Sequence, residues 1–149
     1  MKPEYNPNGT LRFQYTSFHY DCVKAFTEAM GQPVGEDIDA PANGWLVDLR
    51  GELIEEEFRE VYRELPTCDI HKSAELDKAA LTKELADLLY VTYGFAVTFG
   101  LPIDEVFERV HRSNMSKLGD DGKPVYRDDG KVLKGPNYQP PKLDDLFDE

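Results

Sequence analysis

Apolar residues recur at helical spacing along most of this chain, and the breaks in that pattern fall at proline and glycine. From Tyr15 to Met30 the positions Phe18, Cys22, Ala25, Phe26 and Ala29 repeat every three to four residues, which predicts a helix stopped by Gly31 and Pro33. A loop rich in Pro, Gly and Asp follows to Gly44. A second helix is predicted from Trp45 to Leu65, with Leu46, Leu53, Ile54, Val61 and Leu65 on one broad face and Pro66 ending it. A third starts near Ser73, a good N-cap, and runs to Phe99 before Gly100. Its second half, Leu85 to Phe99, is apolar nearly all round, so it needs cover on every side, and a partner subunit is the expected cover. Gly94 within it costs about 1 kcal/mol relative to alanine and suggests a close helix approach. Pro102, Asp104 and Glu105 open a fourth helix that reaches about Ser116.

Beyond Gly119 the pattern changes. Pro124 to Arg127, the turn Asp128-Asp129-Gly130 and Lys131 to Leu133 read as a short hairpin. Gly135 to Pro141 reads as extended, followed by a loose tail. The expected architecture is all-α: an irregular arm over residues 1–14, a four-helix domain over 15–118, and a hairpin with an extended tail over 119–149.

At 149 residues the chain is about one domain with its own core. A formal net charge of −12 argues against nonspecific nucleic-acid binding, which needs a basic surface to displace counterions from phosphate. A polyphosphate can still be held if metal ions mediate. The longest apolar run is broken by Asp87 and falls short of a membrane span. Cys22 and Cys68 form no CxxC pair and read as idle thiols in a reducing compartment, and no leader pattern opens the sequence; a cytoplasmic location is expected.

The chemistry sits in two spaced acidic sets, Glu56-Glu57-x-x-Glu60 and Glu84-x-x-Asp87. On a wheel of the second helix Glu57 falls mid-way along the apolar face, with Leu53 and Val61 about 40° to either side. Glu60 lies one turn on, and Glu56 sits on the same flank, nearer the rim. Glu84 and Asp87, three apart, share a face of the third helix. Antiparallel packing of the two helices would gather four carboxylates. Each like-charged pair about 4 Å apart repels by about 4 kcal/mol at an effective dielectric near 20. Divalent cations relieve this, and an oxygen-only ligand set favours Mg²⁺ or Mn²⁺ over zinc. Glu57, Glu60, Glu84 and Asp87 are therefore the expected metal ligands, and Glu56 is the candidate for a direct chemical role. Glu52, Glu55 and Glu64 read as a solvated face.

In these two acidic sets the chain resembles the MazG-like all-α nucleoside triphosphate pyrophosphohydrolases, whose relatives include dimeric dUTPases and phosphoribosyl-ATP pyrophosphohydrolase. The resemblance extends through Glu84-Leu-Ala-Asp-Leu-Leu-Tyr-Val-Thr-Tyr-Gly94 and Val110-His-Arg-Ser-Asn-Met-Ser-Lys117, and covers about Tyr15 to Lys142. It implies Mg²⁺-dependent hydrolysis of a nucleoside triphosphate to monophosphate and pyrophosphate, with Mn²⁺ able to substitute. It also implies a homo-oligomer, a dimer or a dimer of dimers, that completes each site. Glu56 would orient or deprotonate the attacking water, while Asn114, Lys117, Arg112 and Lys134 would bind phosphates. Likeness to one short subgroup makes dUTP the first substrate expectation, then dGTP or a damaged nucleotide.

Rival readings rest on less. A di-iron carboxylate protein needs Glu-x-x-His on two helices, and Glu108-Arg-Val-His111 supplies one. A non-catalytic acidic helical protein that binds nucleotide or a partner would not need the metal set. Gly119 to Lys123 lacks Walker spacing, and His19, His71 and His111 read as packing or surface residues.

Overall fold

The computed structural model describes residues 4–5, 11–12, 18–65 and 76–147. Four helices carry it: α1 (Phe18–Ala29), α2 (Gly44–Glu64), α3 (Lys78–Thr98) and α4 (Ile103–Met115). Two two-residue strands, β1 (Glu4–Tyr5) and β2 (Leu11–Arg12), pair antiparallel in what was read as an irregular arm. The chain forms two compact units, Met1–Leu101 and Pro102–Glu149.

In the first unit α3 packs along both α1 and α2. Val23, Leu46, Val61, Ala96, Val97 and Phe99 form the buried apolar core. Thr27 and Thr98 are buried beside them, and each hydroxyl donates to the carbonyl one turn earlier (Val23 and Gly94), so neither is left unsatisfied. Gly31, at φ 66°, closes α1 in the left-handed conformation open to glycine, and the Gln32 amide then bonds back to the Thr27 carbonyl at 3.0 Å. Gly100, at φ 63°, does the same for α3, where the Leu101 amide reaches the Ala96 carbonyl at 2.8 Å. The amides of Gly35 and Glu36 donate to the Val97 and Thr98 carbonyls, so the loop after α1 caps the end of α3.

Two points differ from the sequence pattern. The apolar stripe that predicts α1 is not the face the helix buries: Phe18 is 64% exposed, Cys22 and Phe26 are exposed too, as is Met30 just beyond the helix at 58%, and the buried residues are Val23 and Thr27. The periodicity finds an apolar face correctly, but nothing within the described residues lies over all of it. Second, α3 opens at Asp77 rather than near Ser73: the Asp77 carboxylate accepts from the Ala79 and Ala80 amides at 2.9 and 3.0 Å. Ser73, like Cys68 and His71, lies outside the described residues. No single described helix is long and apolar enough to cross a membrane.

In the second unit Arg109 of α4 anchors the tail, donating to the Lys142 carbonyl at 2.7 Å and pairing with Glu105 and Asp145. The Ser116 hydroxyl accepts from the Gln139 amide at 2.9 Å. Between them the segment expected as a hairpin folds back through single antiparallel bridges, Leu118 to Pro124 and Tyr126 to Val132, with no named strand. The Leu133 amide donates to the Val125 carbonyl at 2.7 Å, and that of Arg127 to the Lys131 carbonyl at 2.8 Å.

Candidate metal centre

Helices α2 and α3 run antiparallel, and their register sets the site. Arg50 of α2 lies against Gly94 of α3, while Glu57 and Glu60, two turns and more further along α2, meet Glu84 at the opposite end of α3. Ligand oxygens of Glu57, Glu60 and Glu84 all lie within 4.8 Å of one another, a separation that one cation could bridge. All three residues are half-buried. One oxygen of Glu57, Oε2, is buried and has no hydrogen-bond partner.

Burial pushes the Glu57 carboxyl above its ordinary range, and the neighbouring charges of Glu60 and Asp87 add to the effect. Lys83 pulls the other way, and Glu56 adds a smaller push. An orphaned buried oxygen facing other carboxylates fits a hard divalent cation, which would hold Glu57 ionised and occupy its empty coordination. Glu56 itself is exposed, at the edge of this group.

Asp87 is placed differently from the other three. It falls outside the trio although it is half-buried like Glu60, and the Lys83 ammonium pairs with it at 2.8 Å. Lys83 also reaches Glu84, at 3.0 Å. Those two carboxylates therefore hold the Lys83 pKa well above its usual value. Lys83 was not singled out in the sequence, although it stands directly before the second acidic set. Arg59, inside the first set, turns away to Glu55 at 2.5 Å, and Arg63 comes within 3.7 Å of Glu60 on the exposed side. Glu57 forms no ion pair among the described residues.

The four basic and amide candidates lie in the second unit. Lys117, just past α4, donates to the side-chain oxygen of Asn114 in its last turn at 2.7 Å, joining the two side chains at the end of the helix. Arg112 is bound to the buried carboxylate of Glu108, and Lys134 sits over the Tyr138 ring, 4.3 Å from its centroid. Arg112 engages one oxygen of Glu108; the other, Oε2, is buried without a hydrogen-bond partner.

Residues 23–114 match the phosphoribosyl-ATP pyrophosphohydrolase family. The chain belongs to that family. It is thereby a member of the MazG-like all-α nucleoside triphosphate pyrophosphohydrolase superfamily, and the carboxylate trio lies within the matched span. A crystal structure of a protein provisionally named an NTP pyrophosphohydrolase, from Exiguobacterium sp. 255-15, is similar at 24% identity over 83% of this chain and 88% of that one, with a TM-score of 0.43. Among curated proteins none matches the chain.

Proposed function

We propose that this family member hydrolyses a (deoxy)nucleoside triphosphate to the monophosphate and pyrophosphate with Mg²⁺, Mn²⁺ serving in its place. Its support is the convergence of Glu57, Glu60 and Glu84 with an oxygen of Glu57 left unpartnered. Glu57, Glu60 and Glu84 would hold the metal, with Asp87 beside them, once Lys83 gives up its pairing with Glu84 and Asp87. A metal bound there polarises phosphate oxygens and lowers the pKa of a bound water. Glu56, exposed beside the trio, would orient the attacking water and take its proton. Asn114 and Lys117 bind the outer phosphates, with Arg112 and Lys134 adding positive charge. The working form is a homo-oligomer in the cytoplasm, acting on the nucleotide pool rather than on nucleic acid or membrane. dUTP is the first candidate substrate, followed by dGTP or a non-standard deoxynucleotide.

A second reading draws on Lys83. An internal cation already pairs Glu84 and Asp87, as a non-catalytic nucleotide-binding protein would require. A pyrophosphate-release screen across ribo- and deoxynucleoside triphosphates, with Mg²⁺ and with Mn²⁺, separates the two. Turnover that disappears in Glu57→Gln supports the hydrolase. Turnover unchanged by that substitution removes the mechanism, and its absence with every nucleotide favours the binding protein.

A further inference from the structure

Arg50 is a buried cation that the proposed chemistry does not use. Only 9% of the residue is exposed, and among the described residues no carboxylate forms an ion pair with it. Its Nη2 donates to the Gln32 side-chain oxygen at 3.1 Å, while its Nε–H is buried with no acceptor. Burial alone lowers the guanidinium pKa. An arginine is tolerated in such a place only when something supplies the missing acceptors.

Its position says what that is. Arg50 precedes Glu57 by two helical turns on the same face of α2, about 10.5 Å along the axis. Opposite it stands Gly94, two turns from Asp87 on α3, and the place a Cβ would take there is 3.6 Å from Arg50 Nη1. Any longer side chain at 94 would crowd the guanidinium. Between the acidic end of this seam and Arg50 lie Leu53 and Val91, both half-buried. The seam thus runs from carboxylates, past an apolar stretch, to the exposed Gln32 amide nitrogen and, buried behind it, the unpartnered Arg50 Nε–H, which a ligand reaches only if the Gln32 side chain moves aside. A nucleotide has the same order: phosphates, sugar, then the polar edge of the base.

We infer that Arg50, oriented by Gln32, reads the nucleobase by donating to the carbonyl edge of a keto base such as uracil or guanine. Guanidinium donors match adjacent acceptors such as guanine O6 and N7, whereas adenine offers an amino donor at the corresponding place. The inference rests on the reading of Glu57, Glu60 and Glu84 as the phosphate end.

Steady-state kinetics with dUTP, dGTP and dATP test it in the wild type, Arg50→Gln and Gln32→Leu. Gln32 is exposed, so its variant should fold where Arg50→Gln does not. The wild type should favour the keto substrates over dATP by about tenfold or more in kcat/KM. Arg50→Gln should bring that ratio to within about threefold, through KM rather than kcat, and Gln32→Leu should lower it partway. Equal loss on all three substrates, or a wild type without preference, overturns the inference. So does a changed oligomer mass with the base ratio intact, which would assign Arg50 to a subunit contact. If no triphosphate is hydrolysed, equilibrium binding of dUMP and dAMP in chelator decides. A preference for dUMP that Arg50→Gln abolishes keeps the inference while the hydrolase reading fails, and equal binding overturns it.

Discussion

Glu57 combines a raised pKa with an oxygen that has nowhere to donate its charge, and this makes its ionisation pH- and metal-linked. Its folded-state pKa lies above the ordinary value near 4.5, so the protonated form is the one the fold prefers. The stability this group contributes is complete below that ordinary value and is lost as pH rises through the raised one. In chelator, then, the melting temperature should fall as pH rises above that ordinary value, by a margin that Glu57→Gln removes. Added Mg²⁺ should restore it, with an increment that grows over the same interval, because metal requires the ionised form. Thermal melts with and without Mg²⁺ across that range check both signs; a Mg²⁺ increment independent of pH would detach Glu57 from the metal. Lys83 gives a companion test. It occupies the oxygens of Asp87 that a metal would use, so Lys83→Met should tighten Mg²⁺ binding severalfold in titration calorimetry while destabilising the metal-free protein. Looser binding would show that Lys83 supports the site. Glu57, Glu60 and Glu84 were legible in the sequence because helical spacing alone fixes which carboxylates share a face. Arg50 and Lys83 were not: Lys83's role depends on which way a long flexible side chain turns, and Arg50's on Gln32 and Gly94, which lie on other elements and are distant in sequence.

At the scale of elements the helices were legible to within a few residues, since proline, glycine and periodicity mark them independently. The start of α3 was the exception. Serine and aspartate are both good caps, and only the hydrogen bonds from Ala79 and Ala80 select Asp77. This cap begins the helix that carries Glu84 and Asp87, so Asp77→Ala should cost about 1 kcal/mol. In a chain of this size that lowers the melting temperature by roughly 4 °C. Activity per folded molecule should persist, because Glu84 lies almost two turns further on. Calorimetry and an activity assay on the same sample distinguish a cap, which moves the first readout alone, from a site residue, which moves the second. The register of α2 against α3 was readable only in outline. The acidic sets predict that the two helices meet, but the pairing of Arg50 with Gly94 fixes their alignment, and neither residue alone signals it.

For the whole molecule, the apolar stripe whose spacing predicts α1 is a face the single chain leaves bare. Phe18, Cys22, Phe26 and Met30 form a stripe along α1, and Leu85, Leu89 and Tyr90 are exposed on α3, with Phe26 and Tyr90 meeting edge to face at 5.8 Å. Covering each such side chain stabilises by roughly 1.5 to 3 kcal/mol, and a contiguous patch of them in water marks a protein contact. Periodicity shows that α3 needs cover on all sides, and a partner subunit is expected only because the chain has few other helices to offer, since periodicity is blind to chain identity. A second copy fits, since an identical stripe presented by two-fold symmetry is self-complementary. Phe18→Asp combined with Phe26→Asp places two charges on this stripe, away from every carboxylate of the trio. In light scattering after size exclusion the wild type should elute as a dimer or larger and the double variant as a monomer. Pyrophosphate release should then fall by about tenfold or more, with much of the loss recovered at high protein concentration if the variant still associates weakly. A monomeric wild type would leave the α1 stripe without this partner, and a monomeric variant with undiminished turnover would show that one chain completes its own site.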